Sequence, residues 1–275
     1  WTTNFDRVTR LSGYQGQLYA GLGSTAGEAE VWMWNGTIWA KVGGDAVNSS
    51  WDAVNFEQVD SLTTYNQQLV AGLGTGAGEA DVWSYNGSSW TQIGGDDLNN
   101  GWTGGTYERV RTMMVYNGEL YAGLGNTAGD GEVWKYDGTN WTKMAGNTLN
   151  SSWSNAIEEV ITMVAYNGKL FVGIGNTQNA DAAVWSYGNN RILRSNTSSF
   201  NTDWRHLAAT YDGTTMKLFI DGVLDNSLTT AVTMPDNALS LLIGVGHGGR
   251  ETGRSGGYFA GLLDEVRISN TARSS

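Results

Sequence analysis

Short runs of alternating apolar and polar residues, closed by Asn-Gly or Asp-Gly pairs, recur along the first two-thirds of the chain. Residues 107–116 (YERVRTMMVY) carry the pattern of a strand, and Asn117-Gly118 behind them is a two-residue hairpin signal. Residues 119–125 (ELYAGLG) predict a second strand and residues 126–129 a polar loop. Residues 131–136 (GEVWKY) predict a third strand, closed by Asp137-Gly138, and residues 140–144 (NWTKM) a fourth. The same order returns around first turns at Tyr14-Gln15-Gly16, Tyr65-Asn66-Gln67 and Tyr166-Asn167-Gly168, and second turns at Asn35-Gly36 and Asn86-Gly87.

Tryptophan fixes the period. Trp51, Trp102, Trp153 and Trp204 stand 51 residues apart, as do Trp32, Trp83, Trp134 and Trp185. A third series, Trp39, Trp90 and Trp141, ends where Ile192 takes the next place. Four antiparallel strands per period is the content of a propeller blade, whereas a solenoid coil carries fewer strands in a shorter repeat. The expected fold class is all-β, a β-propeller of four-stranded blades. The blades span residues 1–50, 51–101, 102–152 and 153–203, and a different segment spans 204–275.

Glycines in the second strand, Tyr in the third and Trp in the fourth resemble the kelch blade. The run from each loop Trp through an aromatic or Ile, an acid and Val into Y-N-G also resembles the five-bladed lectin tachylectin-2. From about Asn190 the text changes. DWRHLAATYDG (203–213), MKLFIDG (216–222), LLIGVG (241–246) and YFAGLLDEVRISN (258–270) resemble the C-terminal half of a laminin-G-like, concanavalin-like jelly roll. The strands expected there are roughly 206–211, 216–221, 239–245 and 259–268. They number four, so the tail is expected to serve as a fifth blade; the alternative is four blades followed by a partial jelly roll.

Composition narrows the function classes. The net charge of −11 lies wholly in residues 1–189, with 19 acidic against 8 basic side chains, while residues 190–275 are neutral. An acidic surface without basic clusters argues against nucleic acid and anionic membranes. No apolar stretch is long enough to span a bilayer. With no cysteine, disulfides, thiolate metal sites and a cysteine nucleophile are excluded. The chain begins at Trp1, as expected of a processed protein or an excised segment.

Candidate chemistry lies in repeated positions. Asp6, Glu57, Glu108 and Glu158 open the innermost strands and would ring an axial channel as a cation or polar-ligand site, calcium being the possible ion; no other cofactor is implied. The bland reading makes them acceptors for backbone N–H groups. Glu28 with Glu30, Glu79 with Asp81, and Asp130 with Glu132 form a second set, expected at solvated loop edges. Trp32, Trp83, Trp134 and Trp185 are expected to pack between blades, and the loop-borne Trp51, Trp102, Trp153 and Trp204 to offer sugar-stacking faces. Gly253-Arg254-Ser255-Gly256-Gly257 and the glycine run at 244–249 match catalytic and nucleotide-binding patterns, but neither is followed by the required helix. Asn35, Asn48, Asn86, Asn140, Asn150 and Asn196 stand in N-glycosylation triplets.

These residues and resemblances imply a non-enzymatic, extracellular or cell-surface recognition module, lectin-like, whose partners are glycans, surface polymers or other chains of a larger assembly. A structural spacer is the second reading. A glycoside hydrolase with axial carboxylates is the third, disfavoured because equivalent carboxylates do not supply the distinct acid and base that the reaction needs.

Overall fold

The computed structural model describes residues 5–52, 55–95, 97–103, 106–166, 168–175, 182–188, 193, 195–197, 203–229 and 262–269. They are all-β, arranged as five small antiparallel sheets with three single turns of 3-10 helix. The first sheet contains β1 (Val8–Tyr14), β2 (Gln17–Leu22), β3 (Val31–Trp34) and β4 (Trp39–Gly43). The second contains β5 (Val59–Tyr65), β6 (Gln68–Leu73), β7 (Val82–Tyr85) and β8 (Trp90–Gly94). The third contains β9 (Val110–Tyr116), β10 (Glu119–Leu124), β11 (Val133–Tyr136) and β12 (Trp141–Ala145). Within each, strands neighbour one another in chain order. The fourth sheet holds β13 (Glu159–Tyr166), β14 (Lys169–Gly175) and β15 (Ala183–Tyr187), and the place of Ile192 lies outside the described residues.

Turn chemistry explains the meanders. Tyr14 pairs with Gln17 across Gln15-Gly16, whose φ angles of 48° and 77° are the left-handed pair a type I′ hairpin requires. Asn117-Gly118 repeats the arrangement at 51° and 79°.

By contacts the chain divides into two compact units, Trp1–Ala165 with Leu170–Ser186, and Tyr166–Lys169 with Tyr187–Ser275. In the first unit β5 lies beside both β1 and β9, so successive sheets stack through their first strands. The apolar cores are the layers between sheets. One gathers Tyr14, Val31 and Val42 of the first sheet with Val59, Leu69 and Trp90 of the second. The next gathers Tyr65 and Val82 with Val110, Leu120 and Trp141. The third gathers Tyr116 and Val133 with Val160, Leu170 and Val172.

Glycine makes the close approach possible. A methyl group added at Gly72 would lie 2.7 Å from Cγ1 of Val110 on the following sheet, and one at Gly21 2.9 Å from Cγ1 of Val59. Each valine therefore enters a seat that only glycine leaves open.

The second unit contains β16 (Leu207–Tyr211), β17 (Thr215–Ile220) and β18 (Val223–Thr229) in one antiparallel sheet. Two of these match the expected strands, and the third does not. In β18 the run Asp225-Asn226-Ser227 hides the alternation, although Asp221-Gly222 before it is another left-handed hairpin pair, at 52° and 78°. The expected strand at 239–245 lies outside the described residues, and residues 262–269 are described but join no sheet.

Candidate functional site

The loop tryptophans go into the cores, which corrects the expectation of open stacking faces at Trp51, Trp102 and Trp153. All three are buried. Their indole N–H groups donate to Ala29 O at 2.7 Å, Ala80 O at 2.6 Å and Gly131 O at 2.5 Å. Trp51 meets Trp83 and Trp90 edge-on at centroid distances of 5.8 and 5.1 Å, and Trp102 meets Trp134 and Trp141 in the same way. The reason is geometric. Each loop Trp follows the last strand of its sheet, and its ring fills the wedge where the next sheet begins. Trp83, Trp134 and Trp185 pack against these rings, in keeping with their expected place between sheets.

Trp204 breaks the series. It is 68% exposed, and Arg205 and His206 follow it directly. Arg205 pairs with Asp221 at 2.5 Å, and Asp221 also accepts the His206 N–H at 2.9 Å. That guanidinium and that N–H hold the Asp221 carboxyl below its ordinary range. Asp225 accepts from Asn196 N at 2.9 Å and from the Thr197 hydroxyl at 2.8 Å. The second unit thus presents an exposed indole and a set of fixed polar groups on one strand-and-loop segment.

The four strand-opening acids do not gather into one cation site, and this too is a correction. Among the described residues no cluster of three or more Asp, Glu or His side chains is placed to hold a metal ion. Three of them instead face the loop of their own repeat. Ser24 donates to Asp6 at 3.0 Å and lies 3.4 Å from Glu28; Thr75 bonds Glu57; Thr127 bonds Glu108 at 3.4 Å and Asp130 at 2.7 Å. At Glu158 the backbone carbonyl accepts the Asn126 N–H at 3.1 Å. The loop acids cap their own turns, as Glu79 does by accepting from Gly76 N at 2.9 Å.

Two of the resulting carboxyl pairs are protonated well above the usual range. Burial, then the hydrogen bond to Glu79 and its charge, push Glu57 up to about 7. Burial, then the hydrogen bond to Asp130 and its charge, push Glu108 up to about 7 as well. Like charges at hydrogen-bonding distance do not both ionise readily, so each pair retains a proton into the neutral range.

The second members of the other acidic set are buried, not solvated. Glu30 accepts from Trp32 Nε1 at 2.6 Å and from Lys41 at 2.7 Å. Glu132 accepts from Trp134 Nε1 and from the Tyr107 hydroxyl, at 2.8 and 2.9 Å, and pairs with Lys143. Spacing of two placed them correctly in the strand approach. It did not show that the indole two residues later would supply the donor that makes burial tolerable.

Sequence reasoning also missed the bulges. Register slips past Thr9, Asp60 and Arg111, which stand 51 residues apart. Thr9 donates to Val59 O at 2.5 Å. Buried Asp60 accepts from Arg109 Nε at 2.8 Å, and Arg111 reaches both Asp60 and Glu159 at 3.5 Å. The bulge turns these side chains toward the next sheet. The 51-residue recurrence was the available signal, obscured because a hydroxyl, an acid and a base occupy equivalent places.

Among the described residues no helix is long and apolar enough to cross a membrane. No curated protein matches the chain. A 2.1 Å crystal structure of an S-layer domain-containing protein (residues 221–444) from Clostridium thermocellum ATCC 27405 is similar at 16% identity and a TM-score of 0.25, over 80% of this chain and 85% of that one. The profile of the concanavalin A-like lectin/glucanases superfamily, in its laminin-G form, matches residues 138–275, half of the chain. The match takes in Trp204 and the whole sheet β16–β18. On that match, the chain belongs to the concanavalin A-like lectin/glucanase superfamily.

Proposed function

We propose that the chain is a non-enzymatic carbohydrate-recognition module that works outside the cell or at its surface. The observation that carries this reading is Trp204, an indole 68% exposed inside the segment that matches the lectin-type superfamily. A large exposed aromatic face is costly to keep in water, and stacking on the apolar face of a pyranose ring would cover it while neighbouring polar groups bond the hydroxyls. Arg205, Asp221 and Asp225, each held by neighbouring groups, supply such polar contacts at low ordering cost. The matched segment begins at residue 138, ahead of β12, and so takes in the fourth repeat sheet as well as β16–β18.

The test is a glycan array probed with the wild-type chain and with Trp204→Ala, each with and without calcium. Retention on one glycan class by the wild type, with severalfold weaker retention by Trp204→Ala at unchanged melting temperature, is the expected result. Equal retention by both proteins, or none by either, overturns the proposal.

A further inference from the structure

The two ends of the four-sheet array are chemically matched. Val59, Val110 and Val160, at the start of the first strand in sheets two, three and four, are fully buried by the preceding sheet. Their equivalent in the first sheet, Val8, is 45% exposed, and Leu11, equivalent to the partly buried Leu62 and the buried Met113 and Met163, is 62% exposed. At the other end, Val31, Val82 and Val133 are buried by the following sheet, while their equivalent Val184 is 73% exposed.

The glycine seats repeat the pattern. Gly21, Gly72 and Gly123 each receive a valine of the next sheet, so that an added methyl would meet Val59, Val110 or Val160 within 2.9 Å. At Gly173, the fourth of the series, an added methyl would meet, among the described residues, only Thr162 of its own sheet. Val8 is thus a knob without a seat in this four-sheet array, and Gly173 is a seat that no valine among the described residues fills. Among the described residues, β16, β17 and β18 contain no glycine.

From this continuity with the three interfaces inside the array, we infer that a second copy of this chain docks head to tail. Val8 and Leu11 of one copy settle against Gly173 and Val184 of the next. The contact is heterologous: each copy keeps one unused end, so association builds rings where the rotation closes and filaments where it does not. The inference stands apart from the carbohydrate reading, since it uses none of Trp204, Arg205, Asp221 and Asp225.

Sedimentation velocity of the full chain across a wide concentration range tests it, alongside Val8→Asp and Val184→Asp. Both positions are exposed in a single copy, and unchanged thermal melting of the two variants at low concentration confirms that each still folds. The wild type is expected to gain mass with concentration, and each variant alone to remain monomeric. An equimolar mixture of the variants is expected to stop at a dimer, because only one intact contact forms between them. A wild type that stays monomeric throughout, variants that associate as the wild type does, or a mixture that stays monomeric would overturn the inference.

Discussion

Trp90 donates its indole N–H to the carbonyl oxygen of Val42 at 2.7 Å, across the boundary between the first two sheets. Trp141 does the same to Ile93 one repeat later, also at 2.7 Å. The indole is therefore both filler and donor at each boundary, and its loss removes packing and strands a backbone acceptor together.

The loop tryptophans are the most exacting members of these layers. Trp102→Ala is expected to lower stability by about 3–5 kcal/mol, the range for deleting a large buried aromatic. Urea unfolding followed by tyrosine and tryptophan fluorescence should show the midpoint fall by the corresponding amount. A midpoint within error of wild type would show that the ring is not integral to the layer.

Gly72 should tolerate no side chain. A methyl there would meet the Ser61 hydroxyl as well as Val110. Gly72→Ala is expected to cost about 1–3 kcal/mol through overpacking, and Gly72→Ala with Val110→Ala should recover part of that loss. The double-mutant cycle reads the coupling directly.

The Asp60 ion pairs hold sheets two and three together from within. Asp60→Ala leaves Arg109 and Arg111 without their shared carboxylate, and breaking a buried pair by removing one partner costs about 3–5 kcal/mol. Arg109→Met with Asp60→Leu should be better tolerated than either single change, which thermal melting of the three variants would check.

The carboxyl pairs predict an alkaline decline. Glu57 and Glu108 have folded values of about 7, above the ordinary 4.5 of the unfolded chain. The folded state binds the extra proton, so the favourable contribution is complete below the unfolded value and is lost as pH rises toward and through 7. Melting temperature should therefore fall between pH 5 and pH 8 (roughly the window these values span). Glu57→Gln with Glu108→Gln should flatten that slope, and an unchanged slope would refute the assignment.

The sequence was most legible where covalent geometry dictates the outcome. Asn117-Gly118 and Gln15-Gly16 demand left-handed turns, and the strands on either side followed within a few residues. What was illegible depended on neighbours distant in the chain. Nothing local separates Trp51, with its partner Ala29 O in the preceding sheet, from Trp204, whose ring faces solvent. Glu30 and Glu28 look alike as residues two apart, yet one finds an indole and a lysine while the other caps a solvent-facing loop. In β18, polar residues concealed a strand that the Asp221-Gly222 pair announced.

Several bonds that cross from sheet to sheet are about one period long: Trp90 to Val42, Ser61 to Val110, and Thr9 to Val59. Energetically the array is thus a one-dimensional chain of units, each coupled to its immediate neighbours. Such a molecule can lengthen or shorten by whole periods without re-solving its core, because a duplicated 51-residue stretch arrives with both halves of the interface it needs. It should also unzip from its ends, with the interior layers the last to exchange their amide protons.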